Sequence, residues 1–355
     1  SEMCIRDRYI CLPGLLVSGD IQTVSAVESK TDKNPNILVI LIDDAGYNDF
    51  GFMGSKEMQT PNIDALTSEG VVFTDAHVAA TVSSPSRACL ITGRYGHRFG
   101  YECNLSDRTN GLPLEEETIA EVFKTNGYRT AAIGKWHLGS RDEQHPNNRG
   151  FDLFYGMKAG GRDYFYNEKK SDRPGDERNL LLNDRQVKFE KYLTDAFSEK
   201  AVEFINESSQ PFMMYLAYNA VHTPMQATDE DMAKFEGHPR QKLAAMTYAL
   251  DRGVGTVIRG LKDSGKFDNT LIFFLSDNGG ATTNQSSNYP LKGFKGNKFE
   301  GGHRVPYFVV WKNGIPAGKP YDGLVSSLDI FATAIDAASI SKTRNRLDGA
   351  SSVSY

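Results

Sequence analysis

Two adjacent carboxylates, Asp43 and Asp44, follow the apolar run 37–42, and two further oxygen donors, Asp277 and Asn278, follow the apolar run 271–275. Between them in the chain, the run 130–133 leads into Gly134, Lys135, Trp136 and His137, and the run 212–218 leads into Asn219 and His222. In an open α/β sheet, ligands collect beyond the carboxyl ends of the strands, so these polar residues are expected at one edge. Adjacent unpaired carboxylates at such an edge repel by roughly 4 kcal/mol at about 4 Å and an effective dielectric of about 20, and a cation relieves that repulsion. The donors are oxygens, which favours a hard ion over Zn²⁺: Ca²⁺, with Mg²⁺ as the alternative. Any single aspartate here could equally be a helix cap or turn residue. Four oxygen donors behind two strands are what point to an ion.

A second group of chemically capable residues lies in the stretch Ser83-Ser84-Pro85-Ser86-Arg87-Ala88-Cys89-Leu90-Ile91-Thr92-Gly93-Arg94. Pro85 suits the first turn of a helix and Gly93 its end. Ser83 then falls at a helix amino terminus, where exposed N–H groups favour an anion, with Arg87 one turn further on. A serine that only caps the helix is the simpler reading of Ser83 by itself.

The elements that must position these groups follow from periodicity. Runs 37–42, 130–133, 212–218, 271–275 and 307–311 are short, rich in Ile, Val, Phe or Tyr, and bounded by turn formers, so they predict strands. Helices are expected over 61–68, 116–125, 194–207, 242–262 and 328–338. In 242–262, Leu243, Met246, Leu250, Val254, Val257 and Leu261 recur at spacings of three and four and form one apolar stripe for packing on a sheet. Strands alternating with helices predict an α/β fold with a largely parallel central sheet flanked by helices. The polar stretch 158–190 reads as an excursion over the site. Its Arg162, Asp163, Tyr164 and Tyr166 suit either a carbohydrate subsite or a solvated loop.

At 355 residues the chain can bury a large core, and its net charge of -5 offers no general attraction for nucleic acid or an anionic membrane. No run of about 20 apolar residues follows the amino-terminal region, so no membrane span is expected. The four cysteines, Cys4, Cys11, Cys89 and Cys103, lack zinc spacing, and only Cys89 and Cys103 suggest a bridge. Residues 1–30 read as a leader or a non-native segment, with a short apolar run at 10–17 before small and polar residues. Residues 31–355 read as one domain whose carboxyl-terminal part is expected to be truncated.

The run from Ser83 to Arg94 resembles the signature of the type I sulfatases, formylglycine-dependent members of the alkaline-phosphatase-like superfamily. The similarity extends in order over 34–340. It takes in Asn36-Ile-Leu through Asp43-Asp44, Thr60-Pro-Asn-Ile-Asp64, and Gly127-Tyr-Arg-Thr through Gly134-Lys-Trp-His-Leu-Gly139. It continues through Gly150-Phe-Asp152, Ser276-Asp-Asn-Gly279 and Glu300-Gly-Gly-His-Arg-Val-Pro306. The resemblance implies that Ser83 is converted to formylglycine and that Asp43, Asp44, Asp277 and Asn278 hold calcium. It further implies catalytic or sulfate-binding roles for Arg87, Lys135, His137, His222 and Lys295. Lys292 and Lys298 lie close enough to compete for the last of these positions. Ser at position 83 is similar to the serine-type branch, which implies a dedicated maturation enzyme as partner and a periplasmic or secreted location. His303 stands where many relatives have another residue and is read as a loop histidine without a role. The implied activity is hydrolysis of a sulfate ester on a small molecule or polysaccharide. The rivals are a phosphatase or phosphonate hydrolase of the same superfamily, and an inactive homologue that binds sulfated glycan.

Overall fold

The computed structural model describes residues 34–104 and 111–352. The leader read at 1–30, with Cys4 and Cys11, lies outside the described residues. In chain order the strands are β1 (Asn36–Ile42), β2 (Val71–Phe73), β3 (Ala76–His77), β4 (Arg129–Lys135), β5 (Leu153–Met157), β6 (Leu181–Leu182), β7 (Arg185–Gln186), β8 (Phe212–Ala217), β9 (Thr270–Ser276), β10 (Tyr307–Val310) and β11 (Val325–Ser326). The helices are α1 (Pro61–Thr67), α2 (Ser83–Thr92), α3 (Ile119–Thr125), α4 (Leu193–Glu207), α5 (Asp229–Lys234), α6 (Gln241–Asp263), α7 (Glu300–His303) and α8 (Asp329–Ala337).

Nine strands form one sheet in the order β2-β10-β9-β1-β8-β4-β5-β6-β7, and β11 pairs with β3 beside it. From β9 to β5 all neighbours are parallel. Both edges turn antiparallel, through β10 and β2 on one side and the β6–β7 hairpin on the other. The run 307–311 is therefore a strand, as its composition predicts, but it runs against β9. A parallel centre needs a covered face on each side. In β1, Leu38, Ile40 and Ile42 enter the core beneath α4 and α6, while Ile37, Val39 and Leu41 enter the opposite core with residues of α2, α3 and α8. The expected stripe of α6 is fully buried in the first of these cores.

Two helix starts show why the bounds lie where they do. Thr118 accepts from the Glu121 amide while Glu121 reaches back to the Thr118 amide, a capping box that begins α3 later than 116. Val82 precedes α2 in an extended conformation, and Gly93 ends it with φ 65°, a left-handed value that glycine adopts freely. The segment 158–190 adds the β6–β7 hairpin to one edge of the sheet, beside β5. Among the described residues, no helix is long and apolar enough to cross a membrane. Cys89 and Cys103 are both free thiols, the first buried and the second exposed, so the suggested bridge does not form.

Candidate active site

Because β1, β4, β8 and β9 are parallel, their carboxyl ends share one edge, and the polar residues that follow them meet there. Asp43, Asp277 and Asn278 are fully buried and Asp44 is nearly so. Ser83, on the first turn of α2, is also buried, and its Oγ lies 3.2 Å from both Asp43 Oδ1 and Asn278 Oδ1. A hydroxyl has one hydrogen to donate, so one of these two acceptors faces an oxygen without a proton between them. Asp44 has φ 62° and His137 φ 59°, left-handed values that non-glycine residues adopt at a cost of about 1–3 kcal/mol and that cluster at functional sites. The turn at Asp44 directs its amide to Asp277 Oδ1 at 3.2 Å.

Three cations meet the three carboxylates. Lys135 Nζ donates to Asp43 Oδ2 at 2.6 Å and approaches Ser83 Oγ at 3.5 Å. Lys295 Nζ lies 2.7 Å from Asp44 Oδ1. Arg87 donates from Nε and Nη2 to Asp277 Oδ2 at 3.0 and 2.7 Å, and from Nη1 to the Lys135 carbonyl at 3.2 Å. Burial alone would raise the Asp43 carboxyl, but Lys135, His222 and Arg87 hold it below its ordinary value. Burial pulls the Lys135 ammonium down against the opposing pull of Asp43. For Lys295 burial is outweighed by Asp44, Asp43 and Asp277, so its pKa rises.

Two histidines lie beside the cluster, packed against the neighbouring Gly160 and Gly161. His222 Nε2 lies 3.7 Å from Asp44 Oδ2, and its Nδ1 lies 2.6 Å from the Thr223 carbonyl, which fixes the ring. His137 is held well below its ordinary pKa by burial and then by Lys135, Arg87 and Lys295, so its imidazole is neutral near pH 7. Its buried Nδ1 has no hydrogen-bond partner among the described residues. Glycine is required beside it, since a Cβ on Gly160 would lie 2.6 Å from His137 Nε2.

Comparison with known proteins gives this edge a lineage. A family model described as Sulfatase matches residues 35–340. The chain belongs to the sulfatase family. It is 35% identical to the Escherichia coli K12 sulfatase YdeN over 91% of this chain and 66% of that protein, and 36% identical to mouse arylsulfatase G over 88% and 66%. It thus spans about two thirds of the length of these curated relatives. Among solved structures it superposes on Ps i-CgsB in complex with k-i-k-neocarrahexaose with a TM-score of 0.85 and 44% identity, covering 89% of this chain and 75% of that one.

In this sulfatase-family chain the structure gathers every residue singled out for the site: Asp43, Asp44, Ser83, Arg87, Lys135, His137, His222, Asp277, Asn278 and Lys295. It also separates the three nearby lysines. Lys295 reaches Asp44, whereas Lys292 sits over the Phe299 ring at 4.0 Å and Lys298 makes no ion pair with the cluster among the described residues. The carbohydrate reading of 162–166 fails for most of its residues. Arg162 is buried in a bidentate pair with Asp172, Asp163 is buried against Ser171, and Tyr164 is buried with its hydroxyl shared between the Asn219 and His222 carbonyls. These side chains brace the loop rather than line a subsite.

Several supporting residues escape sequence reasoning. Ser84 Oγ holds the His137 carbonyl at 2.8 Å. Asn284 donates to the Asp44 and Val221 carbonyls, and Ser276 Oγ donates to the Asn278 carbonyl. Their serine and asparagine side chains carry no pattern that separates them from ordinary loop polarity. Only their placement hints at a role: Ser84 on the first turn of α2, Ser276 at the end of β9 and Asn284 in the loop after it.

Proposed function

We propose that this chain hydrolyses sulfate monoesters, with residue 83 as the nucleophile after oxidation to formylglycine and one divalent cation, Ca²⁺, as cofactor. The observation that carries the reading is the position of Ser83 Oγ, shared by Asp43 and Asn278, approached by Lys135 and buried at the start of α2. A plain serine here is a weak nucleophile, because no imidazole is hydrogen-bonded to it. Oxidised and hydrated, residue 83 supplies one hydroxyl to attack sulfur and a second whose deprotonation expels sulfate.

The donors fit a hard cation. Asp43, Asp44, Asp277 and Asn278 offer only oxygens on one buried edge, and the two acceptors that share a single Ser83 hydrogen leave an oxygen that a cation would satisfy. When bound, such an ion supplies positive charge to the sulfuryl oxygens and favours ionisation of the attacking hydroxyl. The remaining work falls to side chains. Lys135 and Lys295 hold the anionic ester by charge-assisted hydrogen bonds, strong ones in a site that admits little water. His222 is half-buried, with Nδ1 facing a carbonyl and Nε2 facing the cluster, which suits it to protonate the departing oxygen. His137, neutral and with a free ring nitrogen, suits the base that takes a proton from residue 83. Arg87 is committed to Asp277 and the Lys135 carbonyl, so it orders those groups instead of binding the ester.

The substrate class is a sulfated carbohydrate. The similarity to i-CgsB, whose structure holds a neocarrahexaose, supports this choice. The test is mass spectrometry of the peptide containing residue 83 from hosts with and without a serine-type maturation enzyme, alongside turnover. Matured protein is expected to carry a peptide lighter by two hydrogens, reactive toward aldehyde reagents, in proportion to activity on sulfate esters. Full activity with an intact Ser83 hydroxyl overturns the mechanism, and preference for the matched phosphate ester overturns the substrate class.

A further inference from the structure

Away from the carboxylate cluster, a different set of donors meets where β3 passes α7. Glu300 and His303 lie three residues apart on α7, which puts them on one face. One ligand atom each from His77, Glu300 and His303 falls within 4.8 Å of the others. His77 Nε2 is 3.1 Å from Glu300 Oε2, and the two imidazole rings are 5.1 Å apart, centroid to centroid. The sequence gives no warning of this meeting, because the two histidines stand 226 positions apart in the chain.

We propose that His77, Glu300 and His303 form a binding site for one divalent transition ion of the Zn²⁺ class, separate from the carboxylate cluster at Ser83. Two imidazoles and one carboxylate are a borderline donor set that suits Zn²⁺ and not Ca²⁺. Three protein ligands leave the fourth position of a tetrahedral ion open to water.

Two details of the surroundings point the same way. His77 Nδ1 is buried and lacks a hydrogen-bond partner among the described residues, while Asp75 Oδ1 lies 3.9 Å from it. Coordination through Nε2 puts the proton on Nδ1 and aims it at that carboxylate, the arrangement in which an outer acid orients a metal-bound histidine. The support is also rigid. The Val78 amide donates to the His303 carbonyl at 2.8 Å and the Val305 amide to the Ala76 carbonyl at 3.0 Å, so the ligand-bearing segments are tied together by backbone. Gly301 and Gly302 let α7 press against its neighbours, where a Cβ would lie 2.5 Å from the Gly293 carbonyl oxygen and 2.0 Å from that of Asn297. Arg304 Nη1, 3.6 Å from Glu300 Oε2, is the competing cation that the ion displaces.

The experiment is a Zn²⁺ titration of the purified protein in saturating Ca²⁺, read by competition with a chromophoric chelator. One Zn²⁺ per chain is expected. His303→Ala and Glu300→Gln each lose that ion, and Asp75→Asn weakens it by roughly tenfold or more. His97→Ala, at an exposed histidine outside this group, leaves binding unchanged. Thermal melting in Ca²⁺ establishes that each variant is folded, and His303→Gln replaces His303→Ala if the latter is not. Absence of stoichiometric Zn²⁺, undiminished wild-type affinity in the His303 or Glu300 variant, or loss of Zn²⁺ on Asp43→Asn overturns the proposal.

Discussion

Removing the Tyr164 hydroxyl separates a brace from a sugar contact. The ring is fully buried and stacks on Tyr192 at 5.4 Å, so Tyr164→Phe keeps the packing and deletes only the O–H. That group lies 2.6 Å from the Asn219 carbonyl and 2.8 Å from the His222 carbonyl. The Asn219 carbonyl keeps the His222 amide at 2.9 Å, whereas the His222 carbonyl loses the tyrosine donor. Leaving a buried acceptor without its donor costs about 1–3 kcal/mol. For a domain of this size the melting temperature is expected to fall by about 2–6 °C. The loss is felt at the residue assigned to protonate the leaving oxygen. A misplacement worth about 1.4 kcal/mol in the transition state lowers kcat/KM about tenfold. It should do so for alkyl sulfates, whose alkoxide needs the proton, and spare activated aryl sulfates. His222→Ala sets the limit of the same trend, a loss on the order of 10²–10⁴-fold on poor leaving groups. The assay is kcat/KM across a leaving-group series for both variants. Equal losses across the series remove His222 from the role of acid. An unchanged melting temperature with a raised KM for oligosaccharides alone would return Tyr164 to a sugar subsite.

Two further perturbations test the cluster itself. Asp43→Asn removes a buried carboxylate held by Lys135 at 2.6 Å, and calcium measured on dialysed protein is expected to drop from one ion per chain to a small fraction; full retention refutes the assignment. Arg87→Lys keeps the charge but gives up the fork on Asp277 and the bond to the Lys135 carbonyl, so kcat is expected to fall at least tenfold with little change in KM; a rise in KM alone would make Arg87 a direct ligand of the ester.

The parts of the fold that were legible are those whose burial is two-sided or strictly periodic. β1 reads as a strand because every residue from Ile37 to Ile42 enters one core or the other, and α6 reads as a helix because its stripe never breaks. β5 has no such mark. Its five residues include Gly156, which is there because β4 approaches so closely that a Cβ would lie 1.9 Å from the Gly134 carbonyl oxygen. Direction is equally silent in composition, which is why the antiparallel pairing of β10 emerges only from the register. At the site, polar residues behind parallel strands were visible because topology forces them together. Arg162 and Tyr164 misled because a polar residue in a loop reads the same whether it faces sugar or closes a buried hydrogen-bond network.

The contacts of the two lysines also imply an order among the ligands. Lys135 and Lys295 bond to oxygens of Asp43 and Asp44, the same carboxylates that a divalent ion would use. An ammonium and a cation compete for those oxygens, while an anionic ester welcomes both. An ion held as proposed would therefore free the lysines to turn toward the ester, and the ester would in turn draw the lysines off the carboxylates and strengthen the hold on the ion. Such mutual support is reciprocal in free energy, so the factor by which the ion tightens the ester equals the factor by which the ester tightens the ion. Arg87 plays a different part: it is fully buried and permanently charged, grips Asp277 Oδ2 at 2.7 Å and lies 3.6 Å from Asp43 Oδ1, and so would hold both carboxylates in place as the lysines change partners.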